Sequence, residues 1–228
     1  IWESVTARPL RNAISRGSTV AFQSSRVRNA MVSKKNGRRY LLICCEGKTE
    51  REYFLILRRL YRISAAQVSV IGEKGQHKAL VDRTLEERDK LCEDMCIDQD
   101  EVECWAVCDD DNMPFSYAEL KDYAEKRKVK LAFSRPQFEA YLLQHFEQSS
   151  LHDQKELYTR LSDLASGAAG QSEEYDKANL KWLDVAIDAK PKLVDIALVN
   201  ADQRTRQSGK VFLTVQNLVR RMKELGKH

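Results

Sequence analysis

Two short apolar runs, each cut off by a cluster of acids, constrain this chain more than any other feature. Tyr40 to Cys45 reads YLLICC and stops at Glu46-Gly47-Lys48-Thr49-Glu50, while Val102 to Cys108 reads VECWAVC and stops at Asp109-Asp110-Asp111-Asn112. Runs of this length, closed by Gly and Asx residues, have the pattern of buried strands that end in tight turns. A strand that ends in acids twice over, with helical periodicity between the two, points to an α/β sheet whose acids collect at one edge.

The segments between and after the runs agree. Tyr53, Phe54, Leu57 and Leu60 recur at helical spacing over Glu50 to Tyr61, with Thr49 as the expected N-cap and Glu52 at the capping-box position. Gln67 to Ile71 alternates as a second strand, and His77 to Met95 carries Leu80, Val81, Leu85 and Leu91 on one helical face. After the second acidic turn, Pro114 marks the expected start of a helix reaching Lys126. Val129 to Phe133 is a fourth strand, and Gln137 to Phe146 a further helix. Strands alternating with helices favour crossovers and a mainly parallel sheet covered by helices on both faces. Beyond Glu147 the pattern turns helical, over Ala178 to Leu198 and Val211 to Leu225. The expected organisation is a basic arm (1–39), an α/β domain (40–147) and a mainly helical C-terminal extension (148–228).

Composition enters through charge. Of 228 residues 43% are hydrophobic and 32% charged, with a net charge of +4. Residues 1 to 39 hold nine Lys or Arg against one acid, and residues 200 to 228 seven against two, so the segment between is strongly acidic. An arginine-rich arm without apolar periodicity is either a solvated tail or a phosphate-contacting arm. If it contacts phosphate, Arg28, Lys34, Lys35, Arg38 and Arg39 are its members nearest the first strand. If it docks instead, Trp2, Leu10, Val20 and Phe22 would be the anchors. The longest apolar run has six residues, against the roughly 20 that a spanning helix needs. A cytoplasmic home without membrane contact is the expectation. Cys44, Cys45, Cys104 and Cys108 fall inside strand patterns and read as buried thiols rather than as disulfides or zinc ligands.

In open α/β sheets ligands bind beyond the carboxyl ends of the strands, and both acidic clusters lie there. Glu46, Asp109 and Asp111 are hard oxygen donors without His or Cys partners, the donor type that Mg²⁺ or Mn²⁺ prefers. The competing reading is a solvated Asp-rich turn. Lys48 would neutralise charge on a phosphoryl group, or stand in solvent. Arg135, before Pro136 in a strand-to-helix turn, is the better phosphate candidate. His145 shares a stripe with Phe138 and Tyr141, as a packed core histidine does.

Together these motifs resemble a known family. Glu46-Gly47-Lys48-Thr49-Glu50 after a strand, with a later strand ending Asp109-x-Asp111, resembles the Toprim domain of topoisomerases, primases and several nucleases. The match is closer to RloB-like proteins, through Ser134, Pro136, Phe138, Glu139, Tyr141, Leu142, Leu143, His145 and Phe146. The resemblance covers about residues 40 to 147. It implies a Toprim-like fold, Glu46 as the principal catalytic acid or base, and Asp109 and Asp111 as holders of Mg²⁺ or Mn²⁺. It draws attention to Glu139 as a further site residue, although an acid beside an apolar stripe is more often paired or solvent-facing. It also implies a nuclease of prokaryotic anti-phage defence (abortive infection), acting on RNA or tRNA ahead of DNA beside an AAA- or ABC-type ATPase, and it leaves room for a homo-oligomer. Asp110 and Asn112 depart from the family's usual basic and acidic neighbours of the Asp-x-Asp turn. No tyrosine stands in a topoisomerase-type context, so covalent strand passage is not expected. The alternative class is a non-catalytic subunit whose helical half docks the ATPase.

Overall fold

The computed structural model describes residues 40–73, 75–169, 174–206 and 209–226. The arm residues Arg28, Lys34, Lys35, Arg38 and Arg39 lie outside the described residues.

Five strands, β1 (Tyr40–Cys45), β2 (Val68–Ile71), β3 (Val102–Asp109), β4 (Val129–Arg135) and β5 (Phe212–Leu213), form one sheet in the order β2-β1-β3-β4-β5. The first four are mutually parallel and β5 runs antiparallel to β4. Eight described helices flank it: α1 (Lys48–Leu60), α2 (His77–Met95), α3 (Tyr117–Glu125), α4 (Glu139–Leu143), α5 (Gln154–Ala169), α6 (Lys181–Ala189), α7 (Lys192–Arg206) and α8 (Val215–Leu225). The expected mainly parallel α/β sheet is therefore present.

Strand alternation divides the core. Leu41, Ile43 and Cys45 of β1 pack with Tyr53, Phe54 and Leu57 of α1 and with apolar residues of α4 to α8. Leu42 and Cys44 face the other way, toward Leu80 and Val81 of α2 and Leu120 and Ala124 of α3. Both faces of β1 are buried, which is why it reads as an unbroken apolar run rather than an alternating one. The order explains the sidedness. From β1 the chain steps outward to β2, then returns past β1 to β3, so right-handed crossovers put α1 and α2 on opposite faces.

Four local features differ from the sequence reading. Helix α1 starts at Lys48 with Gly47 as N-cap, two residues earlier than expected, and the Thr49 side chain donates elsewhere. Helix α3 starts after Ser116 rather than at Pro114, since Ser116 and Glu119 form a reciprocal capping box. The helical pattern over Ala178 to Leu198 is split between α6 and α7 by Lys190-Pro191, where the proline has no N–H to donate. Phe212 and Leu213, at the head of the last helical pattern, form β5, and Thr214 Oγ1 accepts the Phe133 N–H at 2.9 Å. The C-terminal segment thus completes the sheet as well as covering it, and Val211, Leu213, Leu218 and Met222 belong to the same apolar cluster as β1.

The six cysteines are free thiols, with Cys44, Cys45, Cys104 and Cys108 buried. No described helix is long and apolar enough to cross a membrane.

A carboxylate cavity at the switch point of the sheet

Between β1 and β3 the strand order reverses, and this crevice beyond the carboxyl ends is where the fold opens a ligand site. The two acidic turns leave the sheet side by side there. Cys45 is in register with Val107, and the Glu46 N–H donates to Val107 O at 3.0 Å, extending the ladder by one bond. A cavity of about 340 Å³ follows. Glu46, Glu50, Asp109, Asp111, Glu139 and Asp176 line it, against the ammonium groups of Lys48 and Lys177.

This crowding of acids governs their proton affinity. Burial, then the charges of Asp109 and Glu50, push the Glu46 carboxyl up to about 8, although the Asp109 backbone N–H and the Gln76 side chain pull it down. Its Oε2 is buried without a hydrogen-bond partner. Glu50 is buried and pushed up to about 7, by burial first and then by Asp109 and Glu139. Asp109, the last residue of β3, rises to about 6 through burial and the charges of Glu139 and Asp111. Its Oδ1 accepts the Asp111 N–H at 3.0 Å, which shapes the turn, and the exposed Asp111 accepts from Asn112 Nδ2 at 2.9 Å.

Two features were not legible in the sequence. The first is Glu50, which from the first turn of α1 folds back over Gly47. A Cβ on Gly47 would stand 2.8 Å from Glu50 Oε2, so any larger residue there would push the Glu50 carboxylate out of this position. The second is the wall formed by residues 174–178. Tyr175 Oη donates to Glu139 Oε1 at 2.9 Å, and Lys177 Nζ stands 3.8 Å from the same oxygen. Thr49 Oγ1 donates to Lys177 O at 3.0 Å and ties this wall to the start of α1. Burial alone would lower the Lys177 ammonium, but Glu139 and Tyr158 outweigh it and hold the group above its usual range. Glu139 is 2% exposed, so of its expected environments the structure selects the paired one.

The remaining site expectations are placed as follows. Lys48 stands at the rim, about two-thirds exposed and 3.8 Å from Glu73. Arg135 does not line the cavity. Its Nε donates to Asp110 Oδ2 at 2.6 Å, so the departing Asp110 of the second turn engages the phosphate candidate. His145 is fully buried, with Nε2 3.1 Å from Tyr53 Oη and Nδ1 3.0 Å from Leu142 O, and burial lowers it to about 4.

Oxygen donors only, a buried carboxylate oxygen without a partner and six acids facing two ammonium groups suit a hard divalent cation. Among the described residues no three His, Cys, Asp or Glu side chains form a closed ligand group. The fit therefore rests on donor type and on negative charge that the protein itself does not balance.

The family model described as RloB-like protein matches residues 41–222 of the chain. No curated protein and no solved structure matches it.

Proposed function

We propose, for a chain that belongs to the RloB-like family, hydrolysis of phosphodiester bonds in nucleic acid with the aid of a divalent cation. The observation that carries this reading is the buried, partnerless Oε2 of Glu46 amid acids whose charges repel one another. Burying like charges costs free energy unless a cation or a proton balances them. A fold that keeps them together at a ligand-binding crevice is arranged for a cationic guest.

Glu46, Asp109 and Asp111 would hold Mg²⁺ or Mn²⁺. When bound, such an ion polarises a phosphoryl oxygen and lowers the pKa of coordinated water. The chain's own residues do the rest. Glu46, at the crevice between the two acidic turns, would accept the proton of the attacking water. Lys177, oriented by Glu139, faces the charge that builds on the phosphoryl oxygens. Tyr175 fixes Glu139 and so fixes Lys177. Lys48 receives the incoming strand at the rim. RNA, tRNA in particular, is favoured over DNA by the family resemblance, as are a cytoplasmic role in anti-phage defence and a partner ATPase.

A second reading has its own observation. Val185, Ile196 and Val199 of α6 and α7 are 43 to 60% exposed, and a docking subunit would present such residues to an ATPase. One assay separates the readings: tRNA, single-stranded RNA and duplex DNA incubated with Mg²⁺ or Mn²⁺, with and without a candidate partner ATPase. Divalent-dependent cleavage of one of these polymers is expected. No cleavage under any of these conditions, with a folded protein, favours the docking subunit.

A further inference from the structure

The rim of the carboxylate cavity continues into a cationic groove along α1. Helical spacing sets Lys48, Arg51, Leu55 and Arg58 on one side of the helix, with Arg62 just past its end. Beside this face lies a depression of about 780 Å³, floored by Leu55, Ile56 and Leu180 and edged by Arg58, Arg62 and Lys181. A smaller one holds Lys48 and Arg51, and all three cavities meet at Ala178.

The charge there is not balanced. The acids of the groove are already engaged, Glu52 by Arg51 at 2.7 Å and Asp184 by Arg59, which also reaches Asp188. Arg58 donates Nη1 to Val68 O at 3.3 Å, which steadies the guanidinium without neutralising it. Arg62 and Lys181 are exposed and pair with no acid among the described residues. Three cations thus edge an apolar floor next to a site crowded with acids.

We propose that this groove is the track for the strand flanking the scissile phosphate of a nucleic-acid substrate. From Lys48 to Arg58 the helix advances roughly 15 Å, enough to follow a short run of phosphates along one strand. No aromatic side chain lines the depression. Bases therefore have no stacking platform, and the track reads the backbone without regard to sequence. The identity of the strand as substrate rests on the nuclease reading above, whereas the binding itself is measurable without cleavage.

The test uses the full chain in EDTA, with fluorescent mixed-sequence 20-nucleotide single-stranded RNA and DNA titrated at several salt concentrations. For Arg62→Ala/Lys181→Ala the slope of log K against log salt should flatten by about 1.4, two contacts at about 0.7 each. Affinity near physiological salt should fall on the order of 10-fold. Melting should be unchanged, because both side chains are exposed. The pair Lys90→Ala/Lys121→Ala removes equal charge from α2 and α3 on the opposite face of the sheet and should change neither quantity. Loss on both polymers assigns the shared phosphate backbone, and loss on one assigns that polymer. An unchanged slope, or an equal loss in the control pair, overturns the groove.

Glu46→Gln, assayed in parallel for cleavage with Mg²⁺, keeps the two readings apart. Wild type that binds through the groove and cleaves nothing overturns the nuclease alone. Cleavage that Glu46→Gln abolishes, with an unchanged salt slope in the double variant, overturns the groove alone.

Discussion

The two ends of β3 hold acids in opposite circumstances. Near its start Glu103, its side chain 7% exposed, receives Lys130 Nζ at 2.8 Å, Arg221 Nε at 2.8 Å and the Trp105 indole N–H at 3.0 Å. Burial would raise its carboxyl, but these three donors prevail and hold it below the usual range. At its far end Asp109 lines a cavity with Glu46, Glu50 and Glu139, and burial with the charges of Glu139 and Asp111 raises it. The strand and the sheet are the same, and the sign of the shift is opposite. An acid that serves architecture comes with its cations: Lys130 and Arg221 join β4 and α8 to β3. At the switch point six acids share two ammonium groups, so that provision is incomplete, as the proposed cation site requires.

The largest effect should come from disturbing the uncompensated end. Glu46→Gln is expected to cut divalent-dependent cleavage by about 10³-fold or more, on the order of 4 kcal/mol of barrier. The metal-free protein should melt no lower than wild type, because a repelling charge has been removed. Normal cleavage by this variant would sink the assignment, and a large fall in melting temperature would show that Glu46 is structural, as Glu103 is. The compensated end should respond in reverse. Glu103→Gln weakens two charge-assisted hydrogen bonds across β3, β4 and α8, so a loss of about 2 kcal/mol in stability is expected with cleavage unaltered. Chemical denaturation and an initial-rate assay measure the two sides, and a stable but inactive variant would erase the distinction.

Why the two ends were unequally legible in the sequence follows from how each is assembled. Glu46, Asp109 and Asp111 directly follow apolar runs, so local pattern alone carries them to the sheet edge. Glu50 was obscured by its place in the first turn of α1, where an acid ordinarily favours the helix dipole. Nothing local marks Tyr175 and Lys177, which reach the cavity only because α5 and α6 pack together and residues 175–178 lie along it. The Glu103 cluster was likewise invisible: Arg221 lies 118 residues further along the chain. Strand β5 escaped notice because two residues cannot display a period. The arm offered the clearest charge signal, and it lies outside the described residues.

Proton linkage sharpens the comparison at intermediate magnitude. Glu46, Glu50 and Asp109 have folded-state values of about 8, 7 and 6 against ordinary values of 4.5, 4.5 and 3.8. Between those limits the fold binds protons more tightly than the unfolded chain, so metal-free stability should fall as pH rises from about 4 to about 8. Glu103 has the opposite sign. Its contribution is fully present above the ordinary carboxylate range and is lost as pH falls through its depressed value. Melting temperature against pH in EDTA should therefore decline on the alkaline side, and Glu46→Gln should flatten that decline alone. Glu103→Gln should alter the acid side alone. A wild-type profile flat from pH 5 to 8 would show that the cavity acids are solvated, ending the contrast.

The smallest effect is expected at the rim. Lys48 and Lys177 line the same cavity, but Lys48 is 62% exposed and stands 3.8 Å from Glu73, which is as exposed as itself. An exposed pair at that distance is worth well under about 1 kcal/mol, so Lys48→Ala should leave stability within about 0.5 kcal/mol of wild type. Lys177 differs because Glu139, itself held by Tyr175, fixes the position of its ammonium group beside the acids. If phosphoryl charge is met inside the cavity, Lys48→Ala should raise KM a few-fold, about 1 kcal/mol of strand affinity, with kcat unchanged. Steady-state kinetics on a short oligonucleotide decides it. A fall in kcat matching the fall in kcat/KM would move Lys48 from the rim to the reacting phosphate, and with it the point at which the chain separates binding from chemistry.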